Sequence, residues 1–313
     1  MTPQTLLSVH HLTRWYGATR AVSDLSFALQ RGEVVGLLGP NGAGKSTTLR
    51  MISGNLAPHD GQIAIAGIDL FTEPRAARAA LGYLPEQPPL YRELTVDEYL
   101  RYSAQLRRMA RSTIPAALER AKARCGLATS GRRVIANLSK GYQQRVGIAQ
   151  AIIHQPALVV LDEPTVGLDP IQIRDIRDLI RELRGDHTVI LSTHILPEVQ
   201  ATCDRVLIIN RGELQLSDTI GGLSARMRGS ALQIALRRSP PLAALQALPG
   251  VVQVEAVDDV GRWRLVHQHD ADPAEALVAQ AVAGDWGLYE LIPEQRSLED
   301  IFVAITTEEP AAA

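Results

Sequence analysis

The sequence predicts an α/β fold, with a parallel β-sheet covered by helices on both faces and a smaller α+β domain after it. Three observations lead to this prediction. Continuous apolar runs such as "GEVVGLLG", "PALVVLDEP", "HTVILSTH" and "DRVLIIN" are typical of fully buried strands. Segments with helical spacing, such as "IQIRDIRDLIRELR", separate these runs. Near residue 222 the pattern changes to short strands and helices of a different order.

Composition and charge limit the class of protein. The chain has 313 residues, 46% of them hydrophobic, which suits one large or two modest globular domains. Its formal net charge of −2 gives no general attraction to nucleic acid, and no nucleic-acid partner is expected. Cys125 and Cys203 lie far apart and predict free thiols in a reducing compartment. With no signal peptide or apolar span recognisable, we expect a cytoplasmic chain that reaches membranes only through a partner.

The first motif with chemical content is "GPNGAGKST", which follows a predicted strand and opens a predicted helix. Its glycines let backbone amides curl around a phosphate, its lysine supplies a charge to the outer phosphates, and its serine hydroxyl can ligate Mg²⁺. This context predicts a nucleotide site and not merely a glycine-rich turn. The motif comprises Gly39, Pro40, Asn41, Gly42, Ala43, Gly44, Lys45, Ser46 and Thr47.

A helical segment from about residue 90 to 150 interrupts the α/β pattern, and Pro115 is the expected break between its helices. From Arg101 to Arg133 it carries nine basic residues and a single acid, Glu119. This bias has two interpretations. One is a solvated helical face. The other is a face near anionic lipid or an acidic partner surface.

Two further strand ends carry polar residues. In "LVVLDEP", Asp162 can hold Mg²⁺ through water and Glu163 can polarise an attacking water. His194 ends the run "TVILSTH". A single histidine after a strand is usually a surface or capping residue. If its strand is central, however, His194 lies beside the phosphate loop and close enough to touch a γ-phosphate.

The last part of the chain predicts a domain with the order β-α-β-β-α-β, as in ferredoxin-like folds. "DDVGR" predicts the hairpin turn, Asp272 the N-cap of the second helix, and "SLEDIFVAIT" a final helix with a Ser-x-x-Asp cap. We therefore expect one domain over residues 1–221 and a second over 222–313.

From Leu7 to about Gly221 the chain resembles the ATP-binding subunits of ABC transporters. The resemblance implies a P-loop NTPase cassette with a RecA-like parallel-sheet core and a helical subdomain. "GPNGAGKST" matches the Walker A loop, and "LVVLDE" matches Walker B, with Glu163 as the catalytic carboxylate. His194 matches the switch histidine and Asp169 of "GLD" the D-loop. "RWYG" matches the A-loop, which puts Tyr16 against adenine, an interaction that tolerates other bases.

"LSKGYQQR" resembles the ABC signature motif but has Lys140 and Tyr142 where the family usually has Gly and Gln. Ser139 and Gly141 are retained, and the resemblance implies that they contact the γ-phosphate of ATP held by a second copy of the cassette. The Q-loop "GYLPEQPPLY" also departs from the pattern. Either Glu86 or Gln87 could approach Mg²⁺ and the attacking water, and the sequence leaves this choice open.

The resemblance implies an ATPase that uses ATP and Mg²⁺, dimerises, and powers a multi-span permease at the inner face of the cell membrane. The C-terminal part is similar to the tails of export-type systems for drugs, lipids and gliding motility. One alternative is a soluble ABC protein of translation or repair, although these typically have two cassettes or a long coiled-coil insertion. Another is a regulatory ATPase whose C-terminal domain senses a ligand. The transported substrate is not encoded in these motifs.

Overall fold

The computed structural model describes residues 4–226, 228–258, 261–268 and 271–295. The chain forms two compact units, the first ending at Ile220 and the second beginning at Gly221. The elements up to this boundary are β1 (Thr5–Tyr16), β2 (Thr19–Gln30), β3 (Val34–Leu38), α1 (Lys45–Ile52), β4 (Asp60–Ile65), β5 (Ile68–Asp69), α2 (Pro74–Ala79), β6 (Leu81–Leu84), α3 (Val96–Leu106), α4 (Ile114–Arg124), α5 (Lys140–Ile152), β7 (Leu158–Leu161), α6 (Pro170–Leu183), β8 (Thr188–Thr193), α7 (Leu196–Thr202), β9 (Arg205–Asn210) and β10 (Glu213–Thr219).

The central sheet of the first unit has the strand order β10-β9-β3-β8-β7-β6. The strands β9, β3, β8, β7 and β6 are mutually parallel, and β10 joins the edge antiparallel to β9. All residues of β3, β7 and β8 are buried, as expected for strands covered on both faces. The predicted parallel-sheet core is confirmed, and β3 lies beside β8, so the strand that precedes His194 is central.

Helices pack on both faces of this sheet. Leu49, Met51 and Ile52 of α1 share one hydrophobic cluster with Leu37 and Ile190 of the sheet. On the opposite face, Val199 of α7 lies so close to Gly36 that a Cβ on this glycine would approach it to 2.9 Å. The absence of a side chain at position 36 therefore lets α7 approach β3 closely.

A second sheet, with the antiparallel order β2-β1-β4-β5, was not predicted from the sequence. Its apolar side chains, among them Leu7, Val9 and Leu12, join the same cluster as α1 and the central sheet. The register of β1 against β2 shifts at several points, for example between Val9 and Leu12. These irregularities break the period-2 alternation by which such strands are recognised.

The helical segment consists of α3, α4 and α5, with a short 3-10 helix at Ile135–Asn137. Pro115 lies in the first turn of α4, so the expected break at this residue is wrong: the chain leaves the helix after Leu106 and resumes it at Ile114. Proline is tolerated in a first turn because the amide it lacks has no partner there.

The basic bias of this segment does not form a single exposed face. Lys122 is buried, with its Nζ 2.8 Å from Asp97 Oδ1 and 2.9 Å from Glu119 Oε1. Arg107 is half-buried and donates hydrogen bonds to the carbonyls of Arg78 and Leu81, and burial lowers the pKa of its guanidinium. The exposed cations are Arg101, Arg108, Arg111, Arg120, Arg132 and Arg133.

The second unit contains β11 (Arg228–Leu236), α9 (Leu242–Gln246), β12 (Val251–Ala256), β13 (Arg262–His267), α10 (Ala274–Ala283) and β14 (Leu288–Gln295), preceded by α8 (Ile220–Arg226) across the boundary. Its sheet has the antiparallel order β12-β13-β11-β14. Leu232, Ile234, Leu265 and Leu277 form its core with the two helices. The second unit thus contains two β-α-β segments, β11-α9-β12 and β13-α10-β14, and a hydrophobic core of its own.

Two helix ends in this unit were predicted from the sequence. Pro273 directly precedes the first assigned residue of α10, but its backbone is already helical, with φ −77° and ψ −1°. Asp272 Oδ1 accepts a hydrogen bond from the Ala274 amide at 3.0 Å, so Asp272 supplies the capping side chain as expected. Proline is common at the first helical position, directly after the capping residue, because the amide it lacks would have no partner there. The predicted final helix "SLEDIFVAIT" lies outside the described residues.

No helix within the ranges the structure describes combines the length and the apolar character needed to cross a membrane. Cys125 and Cys203 are free and buried. Burial raises the pKa of the Cys125 thiol to about 12 and that of Cys203 as well. Both therefore remain thiols that pack as small apolar side chains.

Candidate active site

The phosphate loop joins the carboxyl end of β3 to α1, which begins at Lys45. Gly44 has a φ of 103°, and a Cβ there would lie 2.5 Å from the carbonyl oxygen of Ala21. Only glycine fits this close, left-handed turn. The buried Lys45 Nζ donates hydrogen bonds to the carbonyls of Gly39 at 2.8 Å and Pro40 at 3.2 Å. The lysine thus closes the loop into a ring whose backbone amides can face an anion.

Asp162 follows β7 and faces the start of α1. Its Oδ1 accepts hydrogen bonds from Ser46 Oγ at 3.0 Å and from Ser192 Oγ at 2.6 Å. Ser192 in turn accepts from the Glu163 amide at 2.9 Å. The serine of the phosphate loop and the first acid of the strand end are therefore in direct contact, 116 positions apart in the chain.

Glu163 adopts a left-handed conformation with a φ of 46°, which turns the chain sharply at the end of β7. Its Oε1 lies 3.6 Å from Lys45 Nζ, and its Oε2 lies 3.1 Å from His194 Nδ1. The side chain of Glu163 is 11% exposed and that of His194 is 44% exposed. The Glu163 carboxylate thus lies between the buried Lys45 ammonium and the more exposed His194 imidazole.

These groups line a cavity of about 300 Å³. The other lining residues come from the phosphate loop and from the segments beside it. The full lining is Ala21, Asn41, Gly42, Ala43, Gly44, Lys45, Ser46, Thr47, Glu86, Glu163, Val166 and His194. Since β3, β6, β7 and β8 are parallel, the residues after each strand meet at one edge of the sheet, which is where ligands bind in such folds.

Glu86 and Gln87 occupy different places. Glu86 lines the phosphate-loop cavity, and both residues line a neighbouring groove of about 750 Å³ together with Ser46 and Asp162. Tyr83 also lines this groove, and burial together with the nearby Asp162 charge raises its pKa to about 12. Tyr83 consequently stays a neutral hydrogen-bonding group beside the acids.

Tyr16 lies at the end of β1 and does not line the cavity. Its ring is 44% exposed, and the Arg14 guanidinium lies 5.2 Å from the ring centroid. An exposed tyrosine held by a cation is available for stacking on a planar ligand.

The signature turn forms a separate site. Ser139 is the N-cap of α5 and accepts a hydrogen bond from the Tyr142 amide at 3.4 Å. Ser139 and Gly141 line a second cavity of about 310 Å³, whose other lining residues are Gly126, Tyr142, Arg145, Gln172, Asp175 and Ile176. The turn and the phosphate loop therefore line different cavities of the same chain.

Lys140 and Asp169 lie on the two segments that meet beside this second cavity, the start of α5 and the loop before α6. A Cβ on Gly167 would collide with the Lys140 ammonium, so the lysine lies directly beside the loop that leads to Asp169. Asp169 is the N-cap of α6 and accepts a hydrogen bond from the Gln172 amide at 2.9 Å. Lys140, one of the two departures from the usual signature motif, thus contacts the loop before α6.

Sequence reasoning missed Ala21 at the first cavity, Ser192 beneath the two acids, and Gln172 and Arg145 at the second cavity. Ser192 carried a usable signal, because it is the first polar residue after the apolar residues "VIL" in the run "TVILSTH". Gln172 and Arg145 carried none, since their position depends on how α5 packs against α6.

The comparisons with known proteins agree on one family. A family model described as ABC transporter matches residues 22–166. The uncharacterized ABC transporter ATP-binding protein YdbJ of Bacillus subtilis is 34% identical over 97% of this chain and 96% of its own length. The linearmycin resistance ATP-binding protein LnrL of the same organism is 32% identical over 96% of this chain and 98% of its own.

Two further comparisons cover about two thirds of the chain. The bacitracin transport ATP-binding protein BcrA of Bacillus licheniformis is 37% identical over 67% of this chain and 68% of its own length. A solved structure described as the ATP-binding subunit of an ABC transporter has a TM-score of 0.63 and 35% identity, covering 71% of this chain and 92% of that one.

Proposed function

This chain belongs to the ATP-binding proteins of ABC transporters, which hydrolyse ATP, and on that premise we propose that it powers an exporter by closing as a dimer around two ATP molecules. Export is supported by the relatives named for linearmycin resistance and bacitracin transport. The linearmycin-resistance relative aligns over nearly the whole length of both chains. The proposed cargo class is therefore antibiotics of the kind named for these relatives.

The observation that carries the dimer proposal is the separation of the two cavities. The phosphate loop supplies a cation and backbone amides to one, while Ser139 and Gly141 line the other at the start of α5. In a head-to-tail dimer, the second cavity of one protomer faces the phosphates held by its partner. Two sites that are each incomplete in one chain then become complete together, and ATP itself bridges the protomers.

Hydrolysis in the proposed dimer depends on Glu163. The γ-phosphate bound in the loop competes with Glu163 for the Lys45 ammonium, which lies 3.6 Å from the carboxylate. The freed carboxylate can then orient and polarise the attacking water, while His194 keeps it in place from the other side. The adenine stacks on the exposed Tyr16 outside the cavity.

The residues present fit a bound Mg²⁺. Ser46 Oγ and Asp162 Oδ1 are hard oxygen donors 3.0 Å apart. Both line the neighbouring groove together with Glu86, which also lines the phosphate-loop cavity. Within the described ranges no group of three or more acidic, histidine or cysteine side chains is placed to hold a metal ion, so protein side chains alone do not form a cage. Mg²⁺ commonly binds through one or two such ligands plus substrate phosphates, and it would neutralise charge on the phosphates. Ser46 and Asp162 would hold it, with Glu86 rather than Gln87 next to it.

We place the permease contact on the helical segment, which would keep the chain at the inner face of the cell membrane. Tyr91 and Tyr102 are exposed and pack edge to face with ring centroids 5.5 Å apart. Arg101 lies on α3 with Tyr102, Arg108 follows the end of α3, and both arginines are exposed. Exposed aromatic rings beside cations are typical of protein–protein contacts.

Purified protein tests the enzymatic part of the proposal. We expect Mg²⁺-dependent ATP hydrolysis that falls by at least 10²-fold in Glu163→Gln, because the carboxylate that activates water is gone. Glu163→Gln keeps its affinity for a fluorescent ATP analogue, whereas Lys45→Ala loses it. Equal hydrolysis by wild type and Glu163→Gln would contradict the assignment of the carboxylate.

A cell-based measurement tests the direction of transport. A strain whose only copy of this chain carries Glu163→Gln should become more sensitive to bacitracin- or linearmycin-like antibiotics. Unchanged sensitivity across such a panel, with normal protein levels, would count against this cargo class.

The permease contact is tested by charge reversal. Arg101→Glu with Arg108→Glu should lower recovery of the membrane subunit with the tagged cassette at low salt, since exposed charges steer association. Arg174→Glu, at an exposed position on α6, is the matched control. Full recovery with the double variant would remove this face from the proposed interface.

A further inference from the structure

Glu198 is a buried carboxylate that belongs to none of the motifs described above. It lies in α7, is 3% exposed, and does not line the phosphate-loop cavity. Its Oε2 accepts hydrogen bonds from Thr165 Oγ1 at 2.8 Å and from Thr193 Oγ1 at 3.0 Å. Its Oε1 lies 3.5 Å from Arg177 Nη2 on α6.

The two threonines belong to the segments that carry the proposed catalytic side chains. Thr165 stands two residues after Glu163, and Thr193 is the last residue of β8, directly before His194. Both threonines are buried, with 4% and 0% of their surface exposed. One carboxylate oxygen therefore joins the segment of Glu163 to the segment of His194.

Thr193 extends this connection around His194. Its Oγ1 donates to Glu198 and accepts a hydrogen bond from the Ile195 amide at 3.0 Å. The backbone on both sides of His194 is thereby fixed. On the Glu163 side, Ser192 holds the amide of Glu163. The contact of 3.1 Å between His194 and Glu163 thus lies between two hydrogen-bonded supports, Ser192 and Glu198.

A carboxylate suits this position better than a neutral apolar group would. Two buried hydroxyls need an acceptor, and hydrogen bonds to a charged acceptor are shorter and stronger than those to a neutral one. The charge of Glu198 is balanced by Arg177, whose side chain is 25% exposed. Removing the carboxylate leaves two hydroxyls without an acceptor and a cation without its partner.

We propose that Glu198 is a positioning residue for ATP hydrolysis, which holds Glu163 and His194 in their relative positions through Thr165 and Thr193. The inference rests on the proposed roles of Glu163 and His194. It assigns Glu198 no contact with ATP. Its loss should accordingly affect the chemical step and leave nucleotide binding in place.

The test compares Glu198→Ala with Glu198→Gln in the full chain. We expect kcat to fall at least 10-fold in Glu198→Ala, with KM for ATP and the affinity for a fluorescent ATP analogue within twofold of wild type. Glu198→Gln keeps an oxygen acceptor for both hydroxyls and should retain at least a third of wild-type kcat. Rates are expressed per ATP-binding site, so that unfolded protein does not count.

A matched control separates positioning from general stability. Val199→Ala removes packing from the next residue of the same helix, where Val199 contacts Gly36, without touching either threonine. We expect it to lower Tm but to keep kcat per ATP-binding site. If Glu198→Ala does not fold, Thr193→Val supplies the measurement. It removes one of the two hydrogen bonds to Glu198, together with the one from the Ile195 amide, with little change of shape.

Two results would overturn the inference. One is a wild-type kcat in Glu198→Ala, or in Thr193→Val if that variant is needed. The other is a fall in Glu198→Gln as large as in Glu198→Ala. Failure of the underlying function looks different, since Glu163→Gln would then hydrolyse ATP as fast as wild type.

Discussion

Ser192 shows how much of the site depends on a single hydroxyl group. It donates to Asp162 at 2.6 Å and accepts from the Glu163 amide at 2.9 Å, so it touches both acids at once. We expect Ser192→Ala to bind ATP normally without Mg²⁺ but to lower Mg²⁺-dependent hydrolysis about 10-fold, because an unsatisfied buried amide and a less fixed carboxylate remain. ATP-binding assays in EDTA measure the affinity without Mg²⁺, and steady-state kinetics with Mg²⁺ measure the rate of hydrolysis.

Ser53→Ala is the matched control for that prediction. Ser53 is also buried and hydrogen-bonded, but to the Arg50 carbonyl at the end of α1. Its loss should leave hydrolysis unchanged within twofold. A fall in rate as large as that of Ser192→Ala would mean that any buried hydroxyl loss disturbs the site.

His154 provides a pH prediction at the same scale. Burial and the nearby Arg107 lower its pKa to about 4, against 6.5 in an exposed histidine, and one ring nitrogen lies 3.0 Å from the Leu81 carbonyl. The unfolded chain therefore binds an extra proton between pH 6.5 and 4, and stability falls as the pH falls through this window. The expected loss is about 2–3 kcal/mol by pH 4.5.

Urea unfolding at pH 7 and pH 4.5 measures this loss. His154→Gln can still donate to the carbonyl but cannot titrate, so its stability should change less between the two pH values. His10→Gln, at an exposed position of β1, should keep the wild-type pH dependence. An unchanged pH dependence in His154→Gln would contradict the prediction.

The sequence allowed part of the site to be predicted residue by residue. Lys45, Asp162 and His194 could be expected to meet because each follows an apolar run, and parallel strands bring such positions to one edge. Glu198 and Thr165 could not be expected together, because their contact depends on how α7 packs against the sheet. The choice between Glu86 and Gln87 likewise depends on the direction of the chain after β6.

At the scale of elements, the apolar runs predicted the central sheet well, because β3, β7 and β8 are buried on both faces. The antiparallel sheet was missed because β1 is long, carries polar residues such as His10 and Arg14, and has an irregular register. The excess of basic residues in the helical segment describes its composition and does not show which of these side chains are exposed. In the folded chain its members serve different purposes, from the buried Lys122 to the exposed Arg108.

Lys122 gives a prediction about how α3 and α4 are held together. Its side chain is 6% exposed, and its ammonium bridges Asp97 on α3 and Glu119 on α4. Lys122→Met should lower the free energy of unfolding by about 1–3 kcal/mol, less than for a fully buried pair because the acids are partly exposed. Thermal and urea unfolding check this, with the exposed Arg120→Met on the same helix as control. Equal stability of both variants would argue against the bridge.

At the scale of the whole molecule, every residue of the proposed ATP site lies in the first unit, before Ile220. We therefore propose that the second unit, with its own core, is accessory to nucleotide binding. A chain ending at Ile220 should bind the fluorescent ATP analogue within threefold of the full chain. Loss of binding in a soluble, folded truncation would give the second unit a direct role.

The central claim is that the signature turn acts on ATP held by a second copy. Glu163→Gln should bind ATP without turning it over, so sedimentation in ATP and Mg²⁺ is predicted to give a dimer that disappears when ATP is removed. Adding Ser139→Arg should return it to a monomer that still binds ATP, because Ser139 lines the cavity away from the chain's own phosphate loop. A Glu163→Gln chain that remains monomeric with ATP bound would contradict the claim.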